Sequence, residues 1–316
     1  TAYRRQRQMC IRDRLYIFAE EAGKKINNVL TPKEVIGLVA ELIGDNKDNN
    51  SLCDPVSGSG TLLVEVGKRV GIRGANIFGQ EANWNQYALT KMNLMLNGFK
   101  DSTFFWGDSL SNPKLTDDGG LKRFDIVASI PPFADKWATE EAEFDRYGRF
   151  QYGIPPRSQA TWAYISHILA SLKPNGRAVV VVPAGVLFRT SESKIRHQII
   201  EHNLLEAVIE LPQNLFYGAA ISTAILVFRK DRKTTQTLFM DARKGYISNK
   251  GIYKLSDTMV EQLLNTYKGF LSGEQVWQEN SCPAYIATQE EVRNNKYDWQ
   301  TVSYTHLRAH ETRSNL

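Results

Sequence analysis

The chain is poor in cysteine and histidine: 316 residues contain three cysteines and five histidines. Cys10, Cys53 and Cys282 are too far apart for a disulfide framework or a zinc site. No metal site is expected, and a reducing cytoplasm is the expected location. Cys53, in an apolar run, reads as a small core residue rather than a nucleophile. No stretch of 18 apolar residues is present, which excludes a membrane-spanning helix. Internal repeats, heptads and low-complexity tracts are also missing.

An excess of one charge is missing too, once the ends are considered. Residues 4–14 read RRQRQMCIRDR and residues 302–312 read VSYTHLRAHET. Both resemble translations of the transposase adapters used in sequencing libraries, in preference to a basic arm for nucleic acid. Residues 1–14 and 302–316 are therefore expected to be non-native and are set aside before the fold is read. They carry net charges of +4 and +1 out of the total of +5, so the remainder is neutral. The overall basicity then carries no message about DNA affinity. The same reading implies a gene product cut on both sides. The expected organisation is a catalytic domain over residues 15–245 and a partial C-terminal helical region over 246–301.

Between the ends, short β-rich runs alternate with longer helical stretches. Residues 15–23 read as the end of a helix. Thr31-Pro32-Lys33-Glu34 reads as a helix start, with Thr31 as N-cap and Glu34 closing a capping box. Strands are expected at 51–54, 76–80, 103–106, 124–129, 177–183, 204–211 and 222–229, with a further candidate at 237–241. Helices are expected at 60–71, 84–97, 158–172 and 191–202, with another near 255–269. This alternation predicts an α/β fold with a doubly wound, mostly parallel sheet. The short, helix-free gap between the strands at 204–211 and 222–229 permits a hairpin, so one antiparallel edge strand is expected. Residues 111–120 and 139–156 read as long loops of the kind that are usually functional or mobile.

The strongest local motif is Asp54-Pro55-Val56-Ser57-Gly58-Ser59-Gly60, between a strand and a helix. Such a turn lets a ligand approach the backbone, and the following helix N-terminus favours anionic groups. The spacing matches neither the phosphate P-loop nor the dinucleotide fingerprint. An acid before the glycines would repel pyrophosphate and welcome an ammonium, which favours S-adenosylmethionine. An ordinary tight turn is the alternative. Glu81 ends the next strand, where a carboxylate can accept both ribose hydroxyls, and Asp108 follows the third, where it could accept from the cofactor's adenine amino group. Each alone could be a solvated loop acid. Together they sit at the carboxyl ends of three successive strands, where open α/β sheets bind ligands.

The fourth strand runs into Ser129-Ile130-Pro131-Pro132-Phe133. Here the chain resembles amino-group DNA methyltransferases, which carry Asn-Pro-Pro-Phe or Asn-Pro-Pro-Tyr after that strand. In that motif the Asn side-chain oxygen and the carbonyl of the first Pro accept the two N–H bonds of a target adenine amino group. The aromatic residue stacks on a base flipped from the duplex, and the prolines stiffen the loop. Pro131, Pro132 and Phe133 match, but Ile130 replaces the Asn and cannot accept a hydrogen bond. Rescue by the Ser129 hydroxyl requires the strand to have ended, since neighbouring strand positions point to opposite faces. A buried strand closed by a Pro-Pro turn is the alternative for this segment.

From Phe18 to Asp241 the chain is similar to the methyltransferase subunit of type I restriction–modification systems. Leu30-Thr31-Pro32, Asp54 to Gly60, Gly79-Gln80-Glu81, Met92-Asn93-Leu94, Gly107-Asp108, Leu172 to Arg177, Val182 to Phe188, Ile195-Arg196, Leu211-Pro212 and Ile221 to Ala224 occur in the family's order. The resemblance implies a Rossmann-like class I S-adenosylmethionine-dependent fold and methylation of the adenine amino group in site-specific DNA. It implies cofactor contacts from Leu30, Thr31, Pro32, Asp54, Pro55, Gly58, Ser59, Gly60, Glu81 and Asp108, and catalytic positions at Ile130, Pro131, Pro132 and Phe133. Expected partners are double-stranded DNA, a specificity subunit, a motor–nuclease subunit and a second methyltransferase subunit, with no membrane. Two other readings stay open: a catalytically impaired cofactor-binding scaffold of a DNA-defence complex, supported by Ile130, and a methyltransferase acting on ribosomal RNA or on a protein glutamine. His167, His197 and His202 read as packing or surface residues. Tyr147, Phe150 and Tyr152 could face a flipped base or serve as local staples.

Overall fold

Continuous apolar runs on short strands, bracketed by amphipathic helices, give a sheet buried on both faces. The computed structural model describes residues 31–44, 50–133, 135–216, 221–249, 252–273 and 282–304. The first half contains α1 (Lys33–Ile43), β1 (Leu52–Asp54), α2 (Thr61–Val70), β2 (Ile77–Glu81), α3 (Trp84–Leu96) and β3 (Thr103–Trp106). A small hairpin, β4 (Thr116–Asp117) and β5 (Gly120–Leu121), leads to β6 (Phe124–Ser129). Then come α4 (Glu140–Glu143), α5 (Thr161–Ala170), β7 (Leu172–Pro183), α6 (Ser193–Glu201), β8 (Leu205–Glu210), β9 (Thr223–Arg229) and β10 (Thr237–Asp241). The hairpin β11 (Tyr246–Asn249) and β12 (Ile252–Leu255), α7 (Asp257–Ser272), β13 (Ala284–Ala287) and α8 (Gln289–Asn294) follow.

Nine of these strands form one sheet in the order β13-β10-β8-β9-β7-β6-β1-β2-β3. The chain enters at β1, winds outward through β2 and β3, and then returns to the other side of β1 with β6. This reversal makes the β1–β6 junction the topological switch point, where a crevice opens beyond the carboxyl ends of the strands. Both strands are parallel there, with Leu52 beside Ile126 and Cys53 beside Val127. The period of two divides the core between two layers. Ile126, Ala128, Val179 and Val181 face the layer that contains α1, α2 and α7 residues. Val127, Ala178, Val180 and Val182 face the layer built from α5 and α6.

The structure corrects three sequence expectations. The antiparallel strand of the β8–β9 pair is not at the edge: β9 lies between β8 and β7 and is antiparallel to both. The antiparallel edge is instead β13, paired with β10. Residues 246–301 are therefore not simply helical; they supply a hairpin and the last strand of the main sheet. The expected Thr31 cap is not made, because Pro32 occupies the N-cap and no side chain caps α1. The expected helix at 15–23 and Leu30 lie outside the described residues.

The first residues of the adapter-like C-terminal segment are packed on the sheet, whatever their origin. Residues 301–304 are helical, and Tyr304 is 0% exposed. Its ring stacks on Phe239 of β10 at 4.1 Å between centroids, and its hydroxyl donates to the Asp298 carbonyl at 2.6 Å. Trp299 packs edge-on to Trp162 of α5 at 5.7 Å. The packed part of the chain thus extends at least to Tyr304. Replacing a fully buried aromatic residue by alanine typically costs about 3–5 kcal/mol. Tyr304→Ala is expected to lower stability by that amount in urea unfolding; a loss below about 1 kcal/mol would return Tyr304 to a dispensable tail.

Candidate active site

At the switch point, β1 delivers Asp54 into the interior with only 2% of its surface exposed. Its Oδ1 accepts from the Val56 N–H at 3.1 Å and from the Ser129 hydroxyl at 2.7 Å. The second bond crosses from β1 to β6 and joins residues 75 apart in sequence. Ser129 is itself fully buried and is still within the strand, paired with Val180. Because the strand has not ended at Ser129 and its side chain is enclosed, the rescue of the missing Asn by Ser129 is not available.

The glycines after Asp54 shape the turn. Gly58 and Gly60 both have positive φ, 54° and 73°, where side chains are strained. A Cβ on Gly60 would lie 2.5 Å from the Thr90 methyl on α3, whereas one on Gly58 would meet nothing within 4 Å. Gly60 thus packs the turn on its neighbouring helix, and Gly58 borders open space. Thr90 Oγ1 donates to the Gly58 carbonyl at 2.6 Å, and Asn93 Nδ2 donates to the Ser59 carbonyl at 3.1 Å. The Ser59 hydroxyl is shared with Thr61 Oγ1 at 2.9 Å.

Glu81, at the end of β2, accepts the Gly58 N–H at 2.8 Å through one oxygen and the Asn83 N–H at 2.8 Å through the other. Each oxygen retains a lone pair for a hydroxyl donor. Asp108 holds its own turn: Oδ1 accepts from the Leu110 N–H at 3.0 Å, and Oδ2 from the Ser111 hydroxyl at 2.8 Å. The Pro55 carbonyl accepts from the Ser109 hydroxyl. The structure thus brings Asp54, Pro55, Gly58, Ser59, Gly60, Glu81 and the 108–111 turn into one region. Thr31 and Pro32 are half-buried just before α1.

Burial is the main influence on these acids. Loss of water raises the Asp54 carboxyl to about 7, against the opposing bonds from Ser129 and Val56, with further upward pressure from Glu81. Burial also raises Glu81, assisted by Asp108, despite hydrogen bonds from Asn83, Gly58 and Ala82. Asp135, beyond the Pro-Pro loop, is raised by burial and by Asp108. Such a cluster is suited to a ligand with an ammonium and hydroxyls and unsuited to a phosphate. Among the described residues, no group of three His, Cys, Asp or Glu is arranged to hold a metal ion.

In the loop after β6, Pro131 is buried and Pro132 and Phe133 are half-buried. Phe133 meets Phe216 edge to face at 5.3 Å. Ile130 packs against the same core layer as Ile126 and Ala128, continuing the strand period. The aromatic residues of the following loop are local staples: Phe150 packs on Trp137 at 5.0 Å, Tyr152 on His202 at 5.1 Å, and Tyr147 lies under Arg146 at 4.9 Å. His167 is buried, and desolvation lowers it to about 3, so it is a neutral core residue.

Three positioning contacts lacked a local sequence signal. Buried Gln80 donates to the Gly107 and Asn112 carbonyls at 3.0 Å each and accepts from the Lys114 N–H at 2.9 Å, fixing the turn that carries Asp108. Buried Arg149 binds Asp145 at 2.7 Å and the Leu110 carbonyl at 2.8 Å. Thr90 supports Gly60 from α3.

The raised Asp54 sets a sign for stability against pH. The folded state holds this proton more tightly than the unfolded state, whose carboxyl has the ordinary value near 3.8. The contribution is therefore fully present below about pH 4 and is lost as pH rises through about 7. Asp54→Asn is expected to match wild-type stability at pH 4 and to exceed it by about 2–4 kcal/mol at pH 8, read by urea unfolding. Equal stability at both pH values would contradict the strained carboxylate.

Comparison with known proteins was consistent with this geometry. The N-6 DNA methylase family profile matches residues 14–313. The methylase subunit of the type I restriction enzyme MjaVIII from Methanocaldococcus jannaschii is 32% identical over 307 residues, 92% of this chain and 51% of that protein. The HindI methylase subunit from Haemophilus influenzae is 28% identical, covering 89% of this chain and 64% of its own length. The chain thus spans between about half and two-thirds of the curated relatives it matches. The crystal structure of a type I restriction–modification methyltransferase subunit from Streptococcus thermophilus superposes with a TM-score of 0.78 at 29% identity, covering 87% of this chain and 59% of that one. A class I S-adenosylmethionine-dependent methyltransferase from Listeria monocytogenes, 21% identical with a TM-score of 0.57 over 79% of this chain and 72% of its own, shares the fold. The sheet described above is the class I S-adenosylmethionine-dependent methyltransferase fold. Because the family match takes in every strand of that sheet, from β1 to β13, the chain belongs to the N-6 DNA methylase family.

Proposed function

We propose that this chain is the catalytic part of an adenine-specific DNA methyltransferase subunit of a type I restriction–modification system. The observation that carries the reading is the buried Asp54 turn, joined through Ser129 to the strand that leads into Pro131–Phe133. Cofactor and base elements thus meet at one switch point.

The residues present suit S-adenosylmethionine. Open space beside Gly58 admits a ligand to the backbone. Asp54 would face the ammonium of the methionine moiety, and Glu81, already oriented by two backbone N–H groups, would accept ribose hydroxyls. Asp108 would serve the adenine end with the lone pairs its own turn leaves. Thr31 and Pro32 would flank the ligand, with Leu30 assigned by resemblance alone. When bound, the cofactor supplies an electrophilic methyl group on a sulfonium centre. On the base side, the Pro131 carbonyl would accept one adenine N–H, and Phe133, braced by Phe216, would stack on the base. Pro132 would keep the loop stiff. The proposed partners are double-stranded DNA, a specificity subunit, a motor–nuclease subunit and a second methyltransferase subunit, in the cytoplasm.

Ile130 leaves the second adenine N–H without a protein acceptor, at a cost of about 1–3 kcal/mol. Its side chain lies against the core layer, and the neighbouring hydroxyl is engaged by Asp54. Ile130→Asn, assembled with a specificity subunit, is expected to raise kcat for transfer of a labelled methyl group to DNA by about 10²-fold. No gain over a slow wild type would favour a scaffold role. A fast wild type would show that the acceptor comes from elsewhere.

A further inference from the structure

Ser129 differs from its neighbours in the strand that leads to the base loop. Cys53, Val127 and Val180 around it are apolar, yet a hydroxyl is buried here with 0% exposure. Burying a hydroxyl is costly unless it is hydrogen-bonded. The bond it makes is to Asp54 Oδ1, at 2.7 Å. The same oxygen takes the Val56 N–H at 3.1 Å. Two donors on one oxygen fix the carboxylate's rotation. One is the backbone of the turn itself, and the other is anchored in a different strand.

We propose that Ser129 is a positioning residue that holds the Asp54 carboxylate in its ligand-binding orientation and in its charged form from across the β1–β6 junction. The inference rests on the cofactor reading above. A neutral donor suits this place: it stabilises negative charge on Asp54 without competing, as a lysine would, with a cationic ligand. The titratable groups facing Asp54 are Cys53 on its own strand and Glu81 at the end of β2, with Asp108 behind Glu81 after β3. The Glu81 and Asp54 charges oppose each other, which leaves the hydroxyl and the Val56 N–H to support ionisation.

The test compares wild type with Ser129→Ala and with the near-isosteric Ser129→Cys, which leaves no hole if alanine unfolds the strand. Affinity for S-adenosylmethionine is measured by calorimetry at pH 6.0 and 8.5, and the Asp54 carboxyl is titrated by carbon NMR without ligand. Losing a donor to a charged carboxylate should move its titration upward by about one pH unit, a factor of ten. The variants should therefore bind about tenfold more weakly than wild type at pH 6.0 and within about twofold at pH 8.5, with the carboxyl titration displaced to match. An affinity ratio that is the same at both pH values, with an unmoved carboxyl titration, would overturn the proposal. Wild type that does not bind at all would instead refute the underlying cofactor reading, and the ligand-free titration would still decide the role of Ser129.

Discussion

A buried carboxylate, held at the switch point of a mostly parallel sheet, is the constraint on which the rest of the site depends. Asp54 is stable there through the Val56 N–H and the Ser129 hydroxyl. Everything around it keeps that arrangement in register. Gly60 bends the turn onto Thr90, Glu81 takes the Gly58 N–H, and Gln80 holds the turn bearing Asp108. Burial makes the charged form of Asp54 costly to stability. Such strain is common where a protein is shaped for a ligand rather than for its own fold.

The Pro131–Phe133 loop is organised from the other half of the sheet. Phe133 rests on Phe216, which belongs to the connection between β8 and β9. That connection needs no crossover helix, because β9 folds back antiparallel between β8 and β7. The C-terminal segment then closes the far edge: β13 covers β10, and Trp299 and Tyr304 fill the layer formed with α5. Glu210, at the end of β8, accepts from the Thr301 N–H at 2.6 Å and the Thr301 hydroxyl at 3.0 Å. The fold that carries the Pro131–Phe133 loop therefore continues to the last described turn.

Much of this was legible because the signals were local. β-branched runs alternating with helical faces placed β3, β6 and β10 to the residue, and most other ends to within two. The acid–glycine turn and the Pro-Pro-Phe loop stood out because each needs unusual residues at fixed spacing. What escaped was tertiary. Strand order is not written in any one strand, so β9 read as an edge. The likeness of residues 302–304 to adapter sequence concerns origin, not packing, and could not reveal that Tyr304 is stacked on Phe239. Ser129 read as a hydroxyl near a target base, whereas its partner is Asp54, 75 positions away. Thr31 carried a capping pattern, but Pro32 took the cap position. Asp108 read as open to a ligand, whereas its oxygens also hold the 109–111 turn.

The central claim is that the Asp54 turn holds S-adenosylmethionine. It is tested most directly by calorimetric titration of the folded protein with that cofactor at pH 7.5, beside Asp54→Ala. The account predicts one saturable site in the wild type and no measurable binding in the variant. A folded wild type without binding, or a variant that binds as tightly as wild type, would contradict it.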